Sequence, residues 1–137
     1  KDALTLKSTG EPVNAVYGFA TSLITVVRDL APTHIIAAWD ASSDTFRKEL
    51  DVNYKAHRDP TPPDLIPQFE HVRNLLEAFN IPLIEREGFE ADDILGTFAK
   101  QAAEQSIETV IVTLDNDMIQ LVGENVKVYM YRPYQHE

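Results

Sequence analysis

The 137 residues are 44% hydrophobic, enough for the core of one ordinary domain, and carry a formal net charge of −10 at pH 7. The absence of cysteine excludes disulfides and thiolate metal sites, and no apolar stretch approaches the roughly 18 residues of a membrane helix. Phosphate binders are usually basic, so the charge argues against a nucleic-acid partner unless many carboxylates serve as something other than a solvated surface.

No charged–apolar–small pattern opens the chain, which reads as soluble and intracellular. Residues 1–12 read as irregular, with turn residues Ser8, Thr9 and Gly10. From Asn14 to Leu30 the apolar residues Val16, Phe19, Leu23, Val26, Val27 and Leu30 recur at helical spacing, and Pro32 stops the pattern. Residues 34–39 are a short apolar run that predicts a buried strand, with Asp40 just past its end. Residues 41–63 are polar, carry Arg47, Lys48, Lys55, His57 and Arg58, and end in Pro60-Thr61-Pro62-Pro63. Within them Phe46, Leu50 and Tyr54 have the spacing of a short amphipathic helix.

A helix is predicted over 65–80, with Phe69, Val72, Leu75, Leu76 and Phe79 on one face, followed by a short strand over 82–85. Residues 90–105 predict a helix with Ile94, Leu95, Phe98 and Ala102 inward. Gly96 in that helix costs about 1 kcal/mol relative to alanine, which points to close backbone packing. Thr109 to Thr113 predicts a buried strand, 116–122 a short helix and 126–131 a further strand. Alternating strands and helices, with strands that are continuous apolar runs, predict an α/β domain. Its mainly parallel central sheet is flanked by helices on both faces.

In such sheets ligands bind beyond the carboxyl ends of the strands. Asp40 follows the first strand, Glu90-Ala91-Asp92-Asp93 follows the second, and Asp115-Asn116-Asp117 follows the third. Six carboxylates gathered at one sheet edge would repel unless cations lay between them, and an oxygen-only ligand set suits Mg²⁺ or Mn²⁺. Each acid also has a plainer reading. Asp92 and Asp93 suit the positive end of a helix, Asp115 suits a helix N-cap, and a lone Asp after a strand is often a turn residue. Convergence of all three groups, and an adjacent acid pair where capping needs one, favours metal. With these six set aside, less than half of the negative excess remains.

Gly88-Phe89-Glu90-Ala91-Asp92-Asp93-Ile94 resembles the signature of the 5′-nuclease and flap endonuclease family of bacterial DNA polymerase I. So do residues 10–19, Thr45-Phe46-Arg47 through Tyr54-Lys55-Ala56-His57-Arg58, and Asp115-Asn116-Asp117, in the family's order and over nearly the whole chain. The resemblance implies a PIN-like, resolvase-like 5′-nuclease fold, one domain core over 1–137, with a basic arch at about 41–63. It implies Asp40, Glu90, Asp92 and Asp93 at a first metal, Asp115 and Asp117 at a second, and two Mg²⁺ ions for which Mn²⁺ can substitute. It further implies Lys55 and Arg58 as catalytic cations on the scissile phosphate, with Arg47, Tyr54, Lys55 and Arg58 on nucleic acid. The implied activity is hydrolysis of 5′ flaps and of nicked or gapped DNA, RNA primers included, in replication and repair. The implied protein is a monomer of the bacterial cytoplasm, joined to a polymerase or standing alone.

The family pattern also has an opening strand with a further metal-binding Asp, and a later helix–hairpin–helix with two more acids. Neither is found in these residues, so an internal piece of a larger domain is expected, weakly active or inactive by itself. Trp39, Leu114 and Asn116 depart from the usual residues and are expected to tune the site. The rival readings are a catalytically inactive DNA-structure-binding fragment of the same fold, a Mg²⁺-dependent phosphatase or phospho-receiver, and a compact ribonuclease. The phosphatase reading lacks a suitably placed lysine, and the arch motif weighs against the ribonuclease.

Overall fold

The computed structural model describes residues 4–41, 45–51, 53–57 and 59–131. In chain order they form α1 (Asn14–Leu30), β1 (Ala37–Trp39), α2 (Phe46–Leu50), α3 (Ile66–Ala78), β2 (Leu83–Glu85), α4 (Ala91–Glu104), β3 (Thr109–Thr113), a 3₁₀ helix (Asn116–Leu121) and β4 (Val126–Met130). The α/β class expected from the sequence holds. The chain divides into two compact units, Lys1–Ala37 with Asn53–Leu83, and Ala38–Val52 with Ile84–Glu137. Among the described residues, no helix is long and apolar enough to cross a membrane.

The first unit opens with a tight antiparallel turn where irregular chain was expected. Leu6 and Val13 donate to the carbonyls of Glu11 and Leu4, both at 2.8 Å. Gly10 closes the turn with φ of 74°, in the left-handed region that glycine enters without steric cost. Helix α1 stops where Ala31 turns left-handed and returns its N–H to the Val27 carbonyl, one residue before Pro32.

The start of α1 has Val13 at the N-cap, which offers no side-chain acceptor. Gln68 of α3 supplies one instead. Its Oε1 accepts from Ala15 N at 2.8 Å and Val16 N at 3.4 Å, while its Nε2 donates to the Asp64 carbonyl at 2.8 Å. That amide is 1% exposed and, with Val72 and Leu76, makes the buried stripe of α3. The expected stripe was Phe69, Val72, Leu75, Leu76 and Phe79, yet Phe69 and Phe79 are 38% and 47% exposed. The helix turns Gln68 inward because two otherwise orphaned N–H groups need an acceptor there.

In the second unit β3 and β4 pair in parallel, in register from Thr109 against Val126 to Thr113 against Met130. The crossover between them holds the 3₁₀ helix. Ala99, Ile111, Met118 and Val126 form the buried core, with Leu95, Ala103, Leu121 and Val128 packed against it. Helix α4 thus presents Leu95, Ala99 and Ala103, a four-residue spacing. Phe98, expected inward, is 38% exposed. Small alanines let the helix axis come close to the strands, which a phenylalanine on the same line would prevent.

Two further expectations differ from the structure. The strands form two two-stranded sheets, β1 with β2 and β3 with β4, in place of one continuous sheet. Three-residue strands such as β1 and β2 carry too few ladder bonds to extend a sheet alone. Nor are the strands buried on both faces. Ile111 is buried, but Val112 beside it is 41% exposed, so β3 alternates.

A Cβ built on Gly96 would lie 3.7 Å from Leu121 Cδ2, an ordinary contact, so close backbone packing is not why glycine stands there. Gly96→Ala is therefore expected to raise stability by up to about 1 kcal/mol, read from urea denaturation. Gln68→Leu is expected to lower it by roughly 1–3 kcal/mol, because it strands the α1 amides; an unchanged urea midpoint would refute the capping role.

Candidate functional site

Five of the six predicted acids adjoin a helix start in the second unit, and the sixth reaches one from the end of β1. Asp40 follows Trp39 directly and is exposed. Its Oδ1 accepts from the Ala91 amide, the first of α4, at 2.6 Å. Residues 51 apart in sequence thereby meet at one helical turn. The free N–H groups and the dipole of α4 make that end a favourable place for negative charge.

Glu90 is the N-cap of α4, in extended conformation, and Asp93 is the third helical residue. The two form a capping box, in which Asp93 Oδ2 accepts from the Glu90 amide at 2.9 Å. Glu90 is only 6% exposed. Asp92 lies half-buried in the same turn.

The cation at this turn is Arg47, from the first turn of α2. Its Nη1 and Nη2 donate to Asp93 Oδ2 and Oδ1 at 2.6 and 2.7 Å, a two-pronged bond that a guanidinium makes and an ammonium does not. Nη1 also lies 3.7 Å from Glu90 Oε2. Arg47 was expected on nucleic acid. The structure turns it to the acids, because a buried carboxylate and its neighbour require a positive partner.

The backbone seats Arg47 there. Thr45 bridges Gly88, and Phe46 N donates to the Gly88 carbonyl at 3.0 Å. The Phe46 and Phe89 rings lie 5.8 Å apart, and the Arg47 guanidinium lies 4.8 Å over Phe46. Gly88 has φ of 81°, which a side chain would strain. Thr45 is buried, and among the described residues its Oγ1 is the one buried side-chain polar atom without a hydrogen-bond partner.

Asp115 and Asp117 follow β3. Asp115 is the N-cap of the 3₁₀ helix, and its Oδ1 accepts from Asp117 N at 2.9 Å. Both residues are exposed. The remaining predicted residues belong to residues 53–59. Tyr54 and Lys55, in the first unit, lie in a turn beyond the end of α2. Lys55 has a left-handed φ of 56°, and its Nζ lies 5.1 Å from the Tyr54 ring centre. Arg58 lies outside the described residues. His71 pairs with Glu11 at 2.8 Å.

The donor chemistry at the start of α4 is oxygen-only, which suits a hard divalent cation. The arrangement does not hold one. Among the described residues, no three acidic or histidine side chains are grouped as a metal would need. Asp93 is committed to Arg47, while Asp40 and Asp115 are oriented by single backbone amides that leave lone pairs on each carboxylate. The contact that the sequence reading did not foresee is thus the pairing of Arg47 with Asp93. The adjacent acids behind a buried N-cap were the signal, since such a turn demands a counter-cation.

Asp115→Ala is expected to lower stability in chelator by about 1 kcal/mol while Asp115→Asn stays near the parent, the pattern of an N-cap. Equal loss in both variants on urea denaturation would contradict the capping role.

A family model described as 5′-3′ exonuclease, N-terminal resolvase-like domain, matches residues 2–137. The DNA polymerase I of Chloroflexus aurantiacus is 45% identical over 127 residues, which are 93% of this chain and 13% of that protein. The DNA polymerase I of Rhizobium leguminosarum is 46% identical over 133 residues, with shares of 92% and 13%. The chain therefore spans a small part of the length of these relatives. Among solved structures, T5 5′-exonuclease with divalent metal ions (zinc) bound matches with a TM-score of 0.63 at 19% identity, over 82% of this chain and 45% of that one. T5 D15 protein co-crystallized with metal ions gives 0.66 at 20% identity over the same shares. At these identities the likeness is one of fold.

Proposed function

The chain belongs to the family of 5′-3′ exonuclease N-terminal resolvase-like domains, and from that membership we propose that its protein is a metal-dependent, structure-specific 5′-nuclease acting on 5′ flaps and on nicked or gapped DNA. The observation that carries this reading is the meeting of Asp40 with the acidic first turn of α4. It joins two of the three acidic segments across a long separation in sequence, at the positive end of the α4 dipole. The relatives named DNA polymerase I support a polymerase in the same polypeptide, with primer removal and repair in the bacterial cytoplasm as the service performed.

Asp40, Glu90, Asp92 and Asp93 are the proposed donors for one divalent cation, and Asp115 and Asp117 for a second. Mg²⁺ is the proposed ion, with Mn²⁺ able to substitute. The oxygen-only donor set and the metal-bound T5 structures support this. Lys55 and Arg58 are the proposed cations against the phosphate under attack, and Tyr54 a surface on which a base stacks. Nucleic acid, RNA primers included, is the proposed substrate, and a monomer the proposed state. A second reading, a DNA-structure-binding fragment without catalysis, draws on the commitment of Asp93 to Arg47 and the lack of a three-acid group among the described residues.

The test is cleavage of a fluorescent 5′-flap oligonucleotide by the protein expressed from its whole reading frame. Cutting is expected with Mg²⁺ or Mn²⁺ and not in chelator. Asp92→Ala is expected to reduce it by roughly 10²–10⁴-fold. Full cleavage by Asp92→Ala would remove the nuclease assignment, and tight flap binding without any cutting would select the second reading.

A further inference from the structure

The turn that leads into α4 carries a surface outside the acidic cluster. Residues 86–89 form a tight turn, closed by the Phe89 amide, which donates to the Arg86 carbonyl at 3.2 Å. Gly88, with φ of 81°, stands third, where a type II turn needs a positive φ. The first and fourth residues of such a turn lie close together, and the Arg86 guanidinium sits 5.6 Å from the centre of the Phe89 ring. The Thr45–Gly88 bridge sets Phe46 against Phe89, with the rings tilted by 53°. With Arg47 over Phe46, the second unit thus presents a row of guanidinium, ring, ring and guanidinium.

Neither ring is core. Phe89 is 40% exposed and Phe46 37%, so two adjoining aromatic surfaces face water. Arg86 is exposed too, and among the described residues it makes no ion pair, although Glu85 and Glu87 flank it in sequence. A guanidinium held by a ring keeps N–H donors for another acceptor. Carboxylates in and beside the turn, Glu85, Glu87, Glu90 and Asp93, disfavour a phosphate placed against the rings themselves. A neutral aromatic ligand meets no such penalty, and a nucleobase offers the flat π face that aromatic side chains stack on.

We propose that Phe46, Phe89 and Arg86 are a nucleotide platform, in which the rings stack an unpaired base of the bound strand and Arg86 takes a phosphate of that strand. Phe89 directly precedes Glu90, so the stacked base adjoins the acidic turn. Stacking tolerates every base, which suits recognition of an unpaired strand rather than of a sequence. This inference rests on nucleic acid being the substrate, as proposed above, and assigns these three residues to its unpaired part.

The experiment uses the protein expressed from its whole reading frame, with binding read by fluorescence anisotropy in chelator. The probes are a 5′-flap oligonucleotide and the same molecule with abasic flap nucleotides. The parent is expected to bind the base-bearing flap roughly 5–100-fold more tightly than the abasic one, the range of one stacking contact. Phe89→Leu is expected to lose most of that difference while binding the abasic flap like the parent. Arg86→Gln is expected to weaken both alike and to reduce the salt dependence of log Kd by roughly 0.7 per decade of salt, the share of one phosphate on a single strand.

Equal affinities of the parent for the two flaps, or no binding of either, would overturn the inference, and this comparison needs no variant to fold. A base preference left intact in Phe89→Leu, an equal loss by that variant on both flaps, or an unchanged salt slope in Arg86→Gln would overturn it as well. Flap cleavage judges the nuclease reading separately, since these binding measurements contain no divalent ion and score no cutting.

Discussion

Charge compensation at the first turn of α4 is the constraint on which the site depends. Glu90 is buried and Asp93 stands one turn away on the same face. The dipole and free amides of a helix start offset an acid there by about 0.3–1 kcal/mol. The cost of burying an unpaired carboxylate is several kcal/mol. The helix end alone is therefore too weak by a wide margin, and a formal positive charge has to be present. Arg47 provides it, and its two-pronged bond fixes where α2 begins relative to α4 within the second unit. The Gly88 turn, the Phe46–Phe89 pair and the Thr45 bridge all serve this one meeting.

Capping and metal binding draw on the same residue types, and what separates them is lone pairs rather than position. Asp40, Asp93 and Asp115 each give an oxygen to a backbone amide. A hydrogen bond of that kind occupies one lone pair and leaves the others, so it orients a carboxylate without disqualifying it as a ligand. The two-pronged arginine is different, since it takes both oxygens at once. The same argument separates Asp40 and Asp115, which are oriented, from Asp93, which is occupied.

Much of the architecture was legible in the sequence, and the misreadings share a cause. Helix α1 has its expected bounds because a clean apolar periodicity meets a proline, both local signals. The inward faces of α3 and α4 were read in part: Val72, Leu76 and Ile94 are buried as expected, but Phe69, Phe79 and Phe98 are not, because burial follows the partner surface as well as hydrophobicity. Gln68 goes inside to serve amides fifty residues away, and Ala99 with Ala103 displaces Phe98 to let α4 approach β3. The acids' positions at strand ends and helix starts were readable, being set by local geometry. The guanidinium's choice was not, because Arg47 and Asp93 are 46 residues apart and the polar segment between gives no pairing signal.

The formal charge of −10, which seemed to oppose a nucleic-acid partner, bears on the question less than the local pairing does. Exposed charges more than a Debye length apart, about 8 Å at physiological salt, scarcely feel one another. What a phosphate meets is therefore set by the few groups near it. At the α4 turn those groups include two carboxylates and a guanidinium already spent on them, a surface that would repel a phosphate.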